Sequence, residues 1–123
     1  MKDKNIWVQI STNDIQKTIT AHAEISDHKI EFTDDEKQVN TISILDQDIR
    51  YQKKGNPEMD FYFSDELTEG TYKIDNQTLI FQIKTLELKI KDDTISIRYQ
   101  LLQENEIIST HSITIHRNYS LEA

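Results

Sequence analysis

From Thr78 to Leu102 the chain reads TLIFQIKTLELKIKDDTISIRYQLL, with apolar residues at every second position almost throughout. Leu79, Phe81 and Ile83 alternate with polar neighbours, Leu86, Leu88 and Ile90 continue one register later, and Ile95, Ile97, Tyr99 and Leu101 resume after Asp92-Asp93. A period of two belongs to extended chain whose side chains point alternately to opposite faces, so the stretch predicts a long β-hairpin with one buried and one wet face. The phase jump between Ile83 and Leu86 needs an extra residue. It predicts a β-bulge or sharp bend at Lys84-Thr85, a device by which strands coil into barrels.

The same alternation recurs along the chain. Ile6, Val8 and Ile10 share one face of a strand over residues 5–12 and Trp7 lies on the other; Asn13-Asp14 then turns the chain into a strand over 15–25, with Ile15, Ile19, Ala21, Ala23 and Ile25 on a single face. Ile30 and Phe32 follow, then Val39 to Leu45, where Ile42 and Ile44 break parity with Val39 and suggest a second bulge. Ile49, Tyr51 and Lys53 run up to the Gly55-Asn56-Pro57 turn, and Met59, Phe61 and Phe63 form the bulkiest face. Ser64 to Gly70 lacks alternation and is expected to hold one helical turn ended by Gly70. Tyr72 and Ile74 mark a further strand, and Ile107, Ser109, His111, Ile113 and Ile115 share a face of the last one. The odd-numbered apolar residues from Ile49 to Ile115, outside segment 86–90, should therefore face one interior.

Composition agrees with strands and excludes several classes. Ile occurs 19 times and Thr 12 times in 123 residues while Ala occurs three times, a bias that suits pleated, half-buried surfaces. With only two glycines and one proline, Asn and Asp must make most turns. There is no cysteine, no apolar leader in MKDKNIWVQI, and no window near the roughly 18 apolar residues that a membrane helix needs, so the reading is a cytoplasmic chain with no membrane association. A net charge of −8 argues against nucleic acid, whose phosphates are held by clustered Lys and Arg.

About ten short strands linked by tight turns, with no crossover helices, allow a sandwich or a barrel. Short hairpin connections favour a closed or nearly closed antiparallel up-and-down barrel of about 8 to 10 strands, with at most one helical turn, as a single domain over 1–123. From Tyr51 to Ile115 a spaced pattern supports this: Lys53-Lys54-Gly55, Met59-Asp60-Phe61, Gly70-Thr71-Tyr72, Thr85-Leu86-Glu87-Leu88, Tyr99-Gln100-Leu101, and Ser109 ahead of Ile113-Thr114-Ile115. In that order the pieces resemble the YwiB-like or DUF1934 family of bacterial proteins of uncharacterised function. The resemblance implies a calycin-like, lipocalin-like β-barrel and supplies no activity.

No catalytic motif is present: Cys, Gly-x-Ser-x-Gly and glycine-rich phosphate loops are all missing, which predicts a protein that is not an enzyme. His22, His28, His111 and His116 are the strong transition-metal ligands, but His111 and His116 differ in parity and would face opposite sides of a strand, so neither metal nor cofactor is expected. The acidic pairs lie where turns are expected and lack the spacing of a calcium loop. What remains is a polar set on the inward parity, Tyr51, Lys53, Tyr72, Thr85, Tyr99, Ser109 and His111. Two functions follow from it. In one, the interior takes a small, partly apolar ligand whose anionic head meets Lys53 and the tyrosines. In the other, the core is solid, those groups satisfy one another, and the acidic outer face serves a protein-interaction or regulatory module.

Overall fold

A computed structural model describes the backbone of residues 2–116 and the side chains from Ile6 onward; Met1 and residues 117–123 of the expected domain lie outside the described residues. Ten strands follow one another: β1 (Lys2–Thr12), β2 (Ile15–Ile25), β3 (Lys29–Thr33), β4 (Val39–Leu45), β5 (Asp48–Lys54), β6 (Glu58–Phe63), β7 (Thr68–Ile74), β8 (Gln77–Ile90), β9 (Thr94–Gln103) and β10 (Glu106–His116). Each pairs antiparallel with its neighbours in sequence, and β10 pairs with β1 through Trp7↔His116 to Thr12↔His111, closing the barrel. Among the described residues no helix is long and apolar enough to cross a membrane.

Tight turns are made largely as the composition demands. Asn13, Asp46, Asp75 and Asn105 adopt positive φ, joined by Lys37 and Glu104. Such residues tolerate the left-handed region because a short polar side chain can bond the nearby backbone. A meander places alternate turns at opposite ends. The upper end holds Asn13-Asp14, Asp34–Gln38, Gly55–Pro57, Asp75-Asn76 and Glu104-Asn105; the lower end holds Ser26–His28, Asp46-Gln47, Ser64–Leu67 and Lys91–Asp93.

Parity fills the interior. Ile6, Val8, Ile30, Ile42, Ile49, Phe63, Ile83, Ile95, Ile97 and Ile115 are fully buried, joined by Phe32, Tyr51, Phe61, Tyr99 and Leu101. Rings from opposite walls meet across the axis. Phe63 on β6 packs 4.7 Å from Tyr99 on β9, and Phe61 stands edge-on to Tyr99 at 6.1 Å, separations at which aromatic pairs attract. Gly70 is where β7 passes closest to this cluster: a Cβ there would lie 2.6 Å from Ile83 Cδ1 and 2.6 Å from Phe61 Cδ1.

The expected phase jump in β8 is real, and its extra residue is Leu86, one position beyond Lys84-Thr85: the β8–β9 register shifts between Thr85 and Glu87. Leu88 and Ile90 thereby return to the core while Leu86 stays 39% exposed. A second shift between Ile107 and Ser109 leaves Ile107 and Ile108 exposed, correcting the placement of Ile107 inside. Ile15, Leu67 and Leu79 are likewise exposed, because they flank turns or loops where no opposite wall covers them. Two further expectations fail. The bulge near Val39 is absent; β4 pairs without a shift on both sides, and Asn40, not Val39, joins Ile42 and Ile44 in facing inward. The helical turn at Ser64–Gly70 is also absent, because Ser64 Oγ accepts from the Glu66 amide and donates to the Glu66 carbonyl, holding a local turn before β7 starts at Thr68.

Phe61→Ala should cost about 3 to 5 kcal/mol in chemical denaturation, whereas Asp60→Ala, which removes only the exposed pairing with Arg50, should cost at most about 1 kcal/mol. Gly70→Ala should cost about 1 to 3 kcal/mol by pushing Phe61 and Ile83 off their positions. Equal small losses at Phe61 and Asp60 would contradict the inward assignment.

Candidate functional site

The seven inward polar residues do not form one constellation. Two networks occupy the upper end of the barrel, Tyr99 lies between them, and Thr85, paired with Tyr99 on the inner face, joins neither.

The first network is built on Asp34, in the loop between β3 and β4. Its Oδ1 accepts from the amides of Glu36 at 2.9 Å and Gln38 at 3.0 Å, which fixes the loop. Its Oδ2 accepts from Asn40 Nδ2 at 3.0 Å and lies 3.5 Å from Lys53 Nζ. Asn40 also donates to the Gln38 carbonyl at 3.0 Å and accepts from the Tyr51 hydroxyl at 2.5 Å. Gln38 in turn donates to the Pro57 carbonyl, tying this loop to the β5–β6 turn. Burial alone would push the Asp34 carboxyl up, but Asn40, the Gln38 and Glu36 amides and the Lys53 charge together hold it below its ordinary value. Burial, reinforced by Tyr99 and Asp34, pushes the Tyr51 phenol up, and burial does the same to Tyr99, so both phenols stay neutral. Lys53 therefore has an inward carboxylate for a partner, and its side chain is 24% exposed at the rim.

The second network is centred on His111. Its Nδ1 lies 3.1 Å from Thr12 Oγ1, its Nε2 lies 2.6 Å from Ser109 Oγ, and its ring stacks on Tyr99 with centroids 5.0 Å apart. Burial lowers its pKa, favouring the neutral ring that can exchange hydrogen bonds with two hydroxyls. Tyr72 is half-buried opposite Met59 and joins neither network. His116, of the other parity, stacks on Trp7 at 4.7 Å. Among the described residues no group of three His, Asp or Glu side chains converges as a metal would require.

Thr85 opens the second feature. β7 reaches only as far as the Thr68↔Ile83 pair, so the stretch of β8 from Lys84 to Ile90 has β9 as its single ladder partner. Beside it lies a lateral cleft of about 570 Å³, lined by Asp46, Asp48, Asp65 and Glu87 above a floor that includes Leu86, Leu88 and Ile90. Thr85 also lines it, and its buried hydroxyl is without a hydrogen-bond partner among the described residues.

Sequence reasoning missed Asp34, Asn40 and Thr12, and the cleft as a whole. The parity of Ile42 and Ile44 carried the signal for Asn40, since the same face extended by two residues reaches it. No sequence signal marked the cleft, which arises because β7 is half the length of β8.

Asn40→Ala would strand the Tyr51 hydroxyl and leave Asp34 Oδ2 with Lys53 alone, and should cost about 2 to 4 kcal/mol. Because the folded Asp34 carboxyl titrates below its ordinary value near 3.8, its stabilisation is complete above that value and is lost as pH falls through the lower folded one. The stability gap between wild type and Asp34→Asn should narrow below about pH 4; a gap independent of pH contradicts this network. Thr85→Val, nearly isosteric, should be neutral or stabilise by up to about 1 kcal/mol, and a clear loss of stability would mean that the hydroxyl has a partner.

Comparison with known proteins adds three findings. No curated protein matches the chain. Among solved structures, the ywiB protein from Bacillus subtilis is similar, with a TM-score of 0.59 at 15% identity over 94% of this chain and 89% of that one, a likeness of fold. The family model of DUF1934, a domain of unknown function, matches residues 9–115, and the chain belongs to that family.

Proposed function

We propose that this protein is a non-catalytic interaction module of the cytoplasm, a barrel whose axis is filled by its own side chains and which takes a partner at the lateral cleft. The observation that carries this reading is the contrast between the two polar regions. At the upper end Lys53 has Asp34, Tyr51 has Asn40, and His111 has Thr12 and Ser109. An anionic ligand there would compete with Asp34 for Lys53 and approach a buried carboxylate, which is unfavourable in a poorly solvated site. At the cleft, by contrast, a strand edge and a buried hydroxyl have no partner among the described residues, and they lie beside an apolar floor. Buried polar groups in folded proteins are ordinarily satisfied, so an orphan beside an open cleft is a natural place for a ligand group.

The non-catalytic part rests on the second network. The Ser109–His111 pair has a nucleophile's geometry, but the other ring nitrogen meets the Thr12 hydroxyl instead of the carboxylate that would stabilise an imidazolium.

The test is amide NMR of the labelled protein against decanoate, a neutral detergent monomer and a cationic peptide, in wild type and Lys53→Met. Shifts confined to Asp65 and Thr85–Ile90, and unchanged by Lys53→Met, are expected. Shifts centred on Tyr51, Lys53, Tyr99, Ser109 and His111 with decanoate, abolished by Lys53→Met, would establish interior ligand binding instead. Hydrolysis of a nitrophenyl ester that disappears in Ser109→Ala would overturn the non-catalytic assignment.

A further inference from the structure

We infer that the edge of β8 between Lys84 and Ile90 receives an extended, basic segment of a partner protein, which adds as a strand in the space that β7 leaves empty. This rests on the lateral cleft being the recognition surface.

The free edge follows from how the barrel is paired. In the upper half the order across the sheet is β6, β7, β8, with Phe61↔Gly70 and Thr68↔Ile83 the last pairs on either side of β7. Below them β7 is gone while β8 runs on for seven residues. β6 also ends at that level, at Phe63, so the side of this stretch that faces away from β9 has the β6–β7 loop beside it and no strand. The main-chain groups of this stretch that face away from β9 have no ladder partner among the described residues. Such an edge is a template for another strand, whose main-chain hydrogen bonds supply affinity while its alternate side chains supply specificity.

Parity and charge set the chemistry of the segment. Leu88 and Ile90 point inward opposite Ile97 and Ile95, so every second side chain of an added strand would meet an apolar floor. The other side chains would face outward, where Asp46, Asp48, Asp65 and Glu87 line the cleft with no Lys, Arg or His among its lining residues. Lys89 stands on the outer face but is ion-paired with Glu87 at 3.7 Å. Asp48 is already oriented by the Tyr62 hydroxyl at 2.8 Å. A segment in which Lys or Arg alternates with β-branched residues matches both faces; an acidic one matches neither.

The experiment titrates the labelled full-length protein with a capped peptide of about eight residues, a usual strand length, in which Lys and Val alternate. Two versions N-methylated at every second residue, one in each phase, and a Glu/Val peptide accompany it. The Lys/Val peptide should shift Thr85–Ile90. One methylated phase should bind at least about tenfold more weakly, since it blocks the amides aimed at β8 while the other phase leaves them free, and the Glu/Val peptide should weaken similarly. Asp48→Lys with Asp65→Lys should reduce affinity for Lys/Val and not for the uncharged floor's probe, a neutral detergent monomer. Binding at the cleft that ignores both methylations would overturn strand addition while leaving the cleft as the recognition surface. Loss of every cleft shift, with decanoate shifting Lys53 and Tyr51, would overturn that surface as well. A concentration-dependent dimer that Leu88→Lys dissociates would assign the edge to a second copy, and nuclear Overhauser contacts from 84–90 to the protein's own residues beyond β9 would mean that the chain covers its own edge; either result overturns the inference.

Discussion

The ladder between β1 and β10 is the contact on which the rest of the structure depends. It joins residues about a hundred positions apart, from Trp7↔His116 to Thr12↔His111, and it alone converts a meander into a closed surface. Without it the sheet would present two long free edges, and the inward faces of β1 and β10, with Ile6, Val8, Ile113 and Ile115, would lose an opposite wall. Closure also makes parity binding on every strand at once, because a slip of one residue would exchange core and surface along its whole length. The two register shifts fit that demand. Leu86 and Ile108 are the residues by which β8 and β10 change phase and still keep their apolar positions inside.

Closure does not make the barrel uniform. At mid-height Phe61, Phe63 and Tyr99 meet across the axis, and Gly70 gives up its side chain so that they can. Above them the core turns polar. Asp34, Asn40, Tyr51 and Lys53 form one plug and Thr12, Ser109 and His111 another, with Tyr99 stacked beneath the imidazole. Here burial and hydrogen bonding oppose each other and hydrogen bonding wins, since the Asp34 carboxyl ends below its ordinary value despite its enclosure. Below the ring cluster the short β7 leaves the wall incomplete, and the acidic cleft occupies the gap.

Most of the fold could be read from the sequence because alternation and turn chemistry are both local. The expected limits of β2 and β4 coincide with those observed, and the bulge in β8 lies one residue from its expected place. The failures are also physical. Ile15 and Ile107 carry the parity of core residues but flank hairpin turns, where the barrel has no opposite wall. Asn40 was overlooked because a buried amide looks polar in the sequence; only its partners, Asp34 and Tyr51, make it acceptable inside. Of the expected site residues, Tyr51 and Lys53 both join the network around Asp34 and Asn40, whereas Thr85 lines the cleft. The cleft was invisible since it depends on the unequal lengths of two paired strands, a property of neither strand alone.

A barrel sealed along its axis and open along one edge is the central claim, and native-state hydrogen exchange of the free protein tests it most directly. Along β8, the amides of Gln82 and Ile83, which have β7 on one side and β9 on the other, should be protected whichever way they face, and from Gln77 to Phe81 those facing β7 should be slow. Between Lys84 and Ile90 only those facing β9 should be slow, and those facing the cleft should exchange rapidly. Uniform protection through Ile90, or rapid exchange of the amides around Tyr51 and Tyr99, would contradict it.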